Sequence, residues 1–152
     1  MIALSRCRAL PSRDLFGSVC MCALTSHFRL RASATGTGTS GSDSDGVGMT
    51  AQFNAPASVV ATPDGSIVYV GQSTGNAIRK VVVASRVVTT LAGQPSAGSA
   101  DGTGTSAQFY SVQGLALSAD QTMLYASEHN GQRIRQVRVS DGRVTPFVGV
   151  YN

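Results

Sequence analysis

Glu128 and His129 are the only acid and histidine that stand side by side in the second two thirds of this chain. Such a pair is the smallest unit from which a general base or a metal-binding set is built. A base also needs a pocket and a partner, and a metal needs further ligands. Shortly after them come Arg133, Arg135 and Arg138, a basic run that one strand would carry. It suits either phosphate contact or the charges that keep an exposed strand soluble. Glu128, His129, Arg133 and Arg135 are therefore the candidate ligand-binding residues. No residue set earns a catalytic or metal-binding assignment, and no cofactor is implied.

Three further patterns are weaker. Cys20-x-Cys22 lacks the second ligand pair of a structural zinc site, and Cys7 is the one other cysteine. Asp43-Ser44-Asp45 followed by Gly48 resembles a calcium loop at its start, but its twelfth position is Asn54, where a bidentate glutamate belongs. Gly46-x-Gly48 and Gly102-x-Gly104 have no lysine after them and no helix to aim at an anion, so they are not phosphate loops.

The elements that must position these residues follow from composition and repetition. The chain has 152 residues, 42% hydrophobic and only 13% charged, with 17 glycines and no tryptophan. That balance supports a core and speaks against general disorder. Up to Ser44 there are five arginines against two aspartates, a net of +3. From Asp45 onward seven basic residues face six acidic ones, a net of +1. The repeat body is thus close to neutral, and aromatics are 6% of the chain. Both facts argue against nucleic acid as a partner.

Asp45-Gly-Val-Gly-Met-Thr-Ala-Gln-Phe53 returns as Asp101-Gly-Thr-Gly-Thr-Ser-Ala-Gln-Phe109, an offset of 56 residues. The same offset joins Tyr69 to Tyr125, Ile78-Arg79 to Ile134-Arg135, and Gly93 to Gly149. A period of this size belongs to propeller blades or solenoids. Each copy reads as four short strands: 57–62, 66–71, 77–83 and 86–92, then 113–118, 122–127, 132–139 and 143–148. Turn sequences such as Pro63-Asp64-Gly65 and Ser140-Asp141-Gly142 separate them. Segments such as SIVYVG are apolar on both faces, which suits a sheet sandwiched between others.

These residues resemble the NHL-repeat β-propeller family. The first copy carries its Asp-Gly-x-Gly loop at 45–48, Ala-x-Phe at 51–53, Pro-Asp-Gly at 63–65, Tyr-Val at 69–70, Asn-x-Ile-Arg at 76–79 and Thr-Leu-Ala-Gly at 90–93. The second copy departs: Val112 stands for Pro56, Ala119 for Pro63, Gln121 for Gly65 and Gln132 for Asn76. The resemblance implies an all-β partial propeller of two four-stranded antiparallel blades, at 45–100 and 101–152, after a Gly/Ser/Thr linker at 32–44. Residues 1–31 read as a targeting peptide, organellar or secretory, or as a disordered segment. No stretch is long and apolar enough for a membrane span.

For function the resemblance implies a non-catalytic binding module, a fragment of a larger propeller. Its partner is a protein or further blades, or further copies of the chain, three of which would make six blades. Two alternatives belong to the same family. One is a propeller lyase or hydrolase whose metal site lies outside this chain; the other is an RNA-binding propeller.

Overall fold

The computed structural model describes residues 43–149. The expected targeting or disordered segment, most of the expected linker and the three cysteines lie outside the described residues. What is described is all-β, a partial β-propeller of two antiparallel sheets. The first sheet comprises β1 (Gly46–Val47), β2 (Pro56–Ala61), β3 (Ile67–Gln72), β4 (Ala77–Val82) and β5 (Val87–Gly93). The second comprises β6 (Gly102–Thr103), β7 (Val112–Leu117), β8 (Met123–Glu128), β9 (Arg133–Arg138) and β10 (Arg143–Val148). The spatial orders are β1-β5-β4-β3-β2 and β6-β10-β9-β8-β7. Every expected strand is present, each limit within one residue of its expected place.

Each sheet also has a fifth strand that the sequence reading left in a loop. The Asp-Gly step of each repeat runs extended for two residues and pairs with the last strand of its own sheet, Gly46 opposite Val88 and Gly102 opposite Val144. The pairing occupies backbone groups along the outer strand's free edge, which would otherwise invite another chain. A single 3-10 turn follows in each copy, Gly48–Thr50 and Gly104–Ser106.

The hairpins persist where their sequence cues are lost. In blade 1, Asp64 accepts hydrogen bonds from Thr62 Oγ1 (2.5 Å), Ser66 N (3.1 Å) and Ser66 Oγ (3.0 Å). In blade 2, Asp120 accepts them from Ser118 Oγ (2.5 Å), Thr122 Oγ1 (2.8 Å) and Thr122 N (3.2 Å). The hydroxyls of Thr62 and Ser118 hold the two carboxyls below the ordinary aspartate value, with help from Ser66 and Thr122. This aspartate-centred turn survives the replacement of Pro63 by Ala119 and of Gly65 by Gln121. Gln121 then has to take the left-handed backbone, at φ 60°, which a side chain makes costly.

That position is one of six, and the residue type changes at four of them. The twelve positive-φ residues form six pairs, each 56 apart: 48/104, 55/111, 65/121, 76/132, 86/142 and 93/149. Backbone conformation therefore repeats more faithfully than residue type. Arg86 (φ 56°) occupies the position of Gly142 (φ 70°).

The core lies between the sheets. Tyr69, Ile78 and Ala92 of blade 1 join Phe109, Val112 and Leu124 of blade 2 in one buried cluster, with Ala107, Ala126, Val137 and Val144. Phe109 is fully buried there. Gly71 makes the approach possible, because a Cβ at that position would lie 2.8 Å from Val112 Cγ1. A smaller cluster of Val68, Val70, Val81 and Val88 sits on the opposite face of blade 1, against Phe53. Phe53 is only half-buried.

Candidate functional site

The arginine of each Asn-x-Ile-Arg-like strand folds inward. Arg79, on β4, is 1% exposed. Its Nη2 donates to Asp45 Oδ1 (2.7 Å) and Ser44 O (2.8 Å), its Nη1 to Gln52 O (2.9 Å) and Asp43 Oδ1 (3.3 Å). The guanidinium carbon lies 5.4 Å from the centre of the Phe53 ring. Arg135, on β9, repeats this pattern. It pairs with Asp101, donates to Gln108 O (3.2 Å) and Ala100 O (3.3 Å), and sits 5.6 Å from the Phe109 ring centre. A planar fork of five donors is the one side chain that can serve a carboxylate and two carbonyls at once. It fastens the Asp-Gly segment and the lead to the next strand onto the middle of the sheet. Burial pushes the Asp45 carboxyl up, but Thr90, Arg79 and its charge outweigh that and hold it low. Burial, then the charge of Arg133, lowers the Arg135 pKa.

Each buried arginine also has a second carboxylate, and the two copies supply it from different places. In blade 1 it is Asp43, which in addition accepts from Gln72 Nε2 (2.6 Å) and Asn54 N (3.0 Å). In blade 2 the position of Gln72 is taken by Glu128, 3.7 Å from Arg135 Nη1. Glu128 accepts from Tyr110 N (2.7 Å), the counterpart of Asn54, and from Arg133 Nε. The acid has moved from loop to strand while the amide it holds has stayed in place.

The structure thus brings Glu128, Arg133 and Arg135 into one cluster and leaves His129 outside it. Glu128 is 3% exposed and Arg135 fully buried. His129 is exposed, with its backbone N–H donated to Ser111 O (2.9 Å). Among the described residues no three acids, cysteines or histidines converge as a metal site, and no helix is long and apolar enough to cross a membrane.

Two surfaces remain open to partners. The first is a cleft of about 330 Å³ at the loop end of the two blades, lined by Ser73, Thr74 and Asn76 of blade 1 and by Tyr110, Gln113 and Asn130 of blade 2. Its lining bears no charge. Asn76 ties its floor together: Oδ1 accepts from Ser111 N (2.9 Å) and Nδ2 donates to Pro95 O (3.0 Å).

The second surface is the face of blade 2 turned away from blade 1. Tyr125, Ile134, Phe147 and Val148 there are the counterparts, 56 residues on, of Tyr69, Ile78, Leu91 and Ala92. In blade 1 Tyr69, Ile78 and Ala92 are buried against blade 2, at 1%, 0% and 0% exposure. In blade 2 Ile134, Phe147 and Val148 are 37%, 53% and 56% exposed. Tyr125 and Phe147 lean on each other, ring centres 4.9 Å apart. The repeat offset in the sequence already pairs Tyr125 with Tyr69 and Ile134 with Ile78, but it assigns none of these four residues to an open face.

No family model matches the chain, and no curated protein matches it. Solved structures do. A putative phosphatase from Bacteroides thetaiotaomicron aligns with a TM-score of 0.50 and 18% identity, over 60% of this chain and 22% of that one. A second, the structure of U3-55K, aligns with a TM-score of 0.44 and 24% identity, over 64% of this chain and 28% of that one. The chain spans about a quarter of the length of the structures it matches. At 18% identity the likeness to the first is one of fold alone, and the described residues form a partial β-propeller.

Proposed function

We propose that the chain is a non-catalytic interaction module, two consecutive blades of a larger propeller of NHL type. The observation that carries this reading is the outer face of blade 2. It keeps, residue for residue, the apolar character of the blade 1 face that is buried against a neighbour, yet here Phe147 and Val148 are more than half exposed. Surfaces of this kind mark interaction sites. The NHL resemblance gains support from the arginine clamps. They give the family's Asp-Gly and Ile-Arg motifs a joint structural reason to recur at a fixed spacing. Of the four candidate ligand-binding residues, the exposed His129, which precedes the cleft residue Asn130 in sequence, is the one a partner would meet.

The test is to measure, on the purified chain, binding of an apolar-surface dye and light scattering. The reading expects dye binding that falls when Phe147 is made Glu. A monomer that binds no dye and unfolds cooperatively would refute it.

A further inference from the structure

Resting on that reading, we infer that the open face of blade 2 is shaped for a further repeat blade with glycine at the turn between its third and fourth strands, and that Arg86 bars the chain's own blade 1 from that place. The contact between blades 1 and 2 supplies the template. At Gly142, in the turn between β9 and β10, a Cβ atom would stand 2.1 Å from Leu91 O and 3.2 Å from Leu91 C. The neighbour is backbone, in the strand bulge where Leu91 is skipped by the pairing of β4 with β5. It cannot rotate aside. Only a residue without a Cβ fits, and the left-handed φ of 70° favours glycine for the same position.

Applying the same placement once more sets the next blade on blade 2. The counterpart of Leu91 is Phe147, which is likewise skipped in the pairing of β9 with β10. Its carbonyl then meets the turn of the incoming blade. Were that blade the first blade of a second copy, Arg86 would occupy the turn with a full side chain. The rest of the template is intact on blade 2: Tyr125, Ile134 and Phe147 stand ready for the equivalents of Phe109, Val112 and Leu115, which the first interface uses. The occupant is therefore a repeat like blade 2, and head-to-tail association of copies is blocked at one residue.

The experiment extends the full chain in register. Residues 150–152 correspond to 94–96, so a third blade is added by appending either residues 97–152, which carry Gly142, or residues 41–96, which carry Arg86. A third extension appends 41–96 with Arg86→Gly, and a fourth with Arg86→Ala. Amide hydrogen exchange in the original β9 and β10 is the readout, because burial of a sheet face raises the free energy of local opening. Appending 97–152 should slow it about tenfold or more. Appending 41–96 should not, Arg86→Gly should restore the slowing, and Arg86→Ala, which keeps the Cβ, should not. Equal protection by both unaltered extensions would overturn the role of Arg86 while leaving the propeller reading intact. Failure of Arg86→Gly to restore protection would also overturn that role. No protection by any extension would overturn both.

Discussion

The buried arginines decide how the repeat motifs are to be understood. Arg135 satisfies Asp101, Gln108 O and Ala100 O together and lies near Glu128, which is itself cut off from water. Removing one member of such a set strands the others, which costs about 3–5 kcal/mol. Arg135→Met should lower the urea midpoint accordingly, and Arg135→Lys should rescue little, because an ammonium cannot reproduce the fork. The aspartates give a second prediction. Asp45, Asp64, Asp120 and Asp141 are all held below their ordinary value of 3.8 in the folded chain. Groups with depressed folded pKa contribute stability that is fully present above the unfolded value and is lost as pH falls through the folded one. The denaturation midpoint should therefore be insensitive to these groups from pH 7 to about 5 and decline below about 4. Carboxyl NMR should show Asp64 titrating higher when Thr62 is made Val. The sequence displays Arg135 as an anion-binding candidate because a one-dimensional string does not show burial. The available cue was the spacing of 34 residues between Asp45 and Arg79, kept between Asp101 and Arg135.

Strands were legible because alternation and turn residues act locally, and each boundary fell within one residue. The short β1 and β6 were not, since two glycine-containing residues carry no periodic signal and their pairing depends on the partner strand. Nor were the left-handed positions held by Gln121, Gln132 and Ser111, where the sheet geometry overrides residue preference. At Gln121 the left-handed backbone costs a residue with a Cβ roughly 1–2 kcal/mol. Glycine's greater freedom when unfolded takes back roughly 0.4–1 of that. Gln121→Gly should therefore stabilise the chain by up to about 1.6 kcal/mol, read from urea unfolding. Between the sheets, Phe109 is fully buried in a cluster drawn from both, whereas Phe53 is half-buried against one. Phe109→Ala should cost on the order of 3–5 kcal/mol, and Phe53→Ala clearly less. Equal losses would show that the two rings have equivalent surroundings.

At the scale of the molecule, two blades bury one interface and leave a second apolar face in water. Replacing Phe147 by Glu should reduce dye binding while changing the unfolding free energy by no more than about 0.5 kcal/mol, as for other exposed positions. A large loss of stability would mean that Phe147 supports Tyr125 rather than serving an absent neighbour. That the chain is repetitive, all-β and incomplete as a ring could be read from its period of 56 residues. Which face is open, and with what residues, could not, because that depends on the side from which each blade receives its neighbour.

The migration of the second carboxylate bears on how the protein can be cut and grafted. Blade 2 carries its second carboxylate, Glu128, within its own strands. Blade 1 borrows Asp43 from ahead of the Asp45-Gly46 start that the repeat suggests. A truncation placed at Asp45 would leave Gln72 Nε2 and Asn54 N without their acceptor and Arg79 with one carboxylate fewer. Gln72→Glu in such a truncated chain should return the missing charge from the strand side, where Glu128 supplies it in blade 2, although Ala77 stands in place of Arg133.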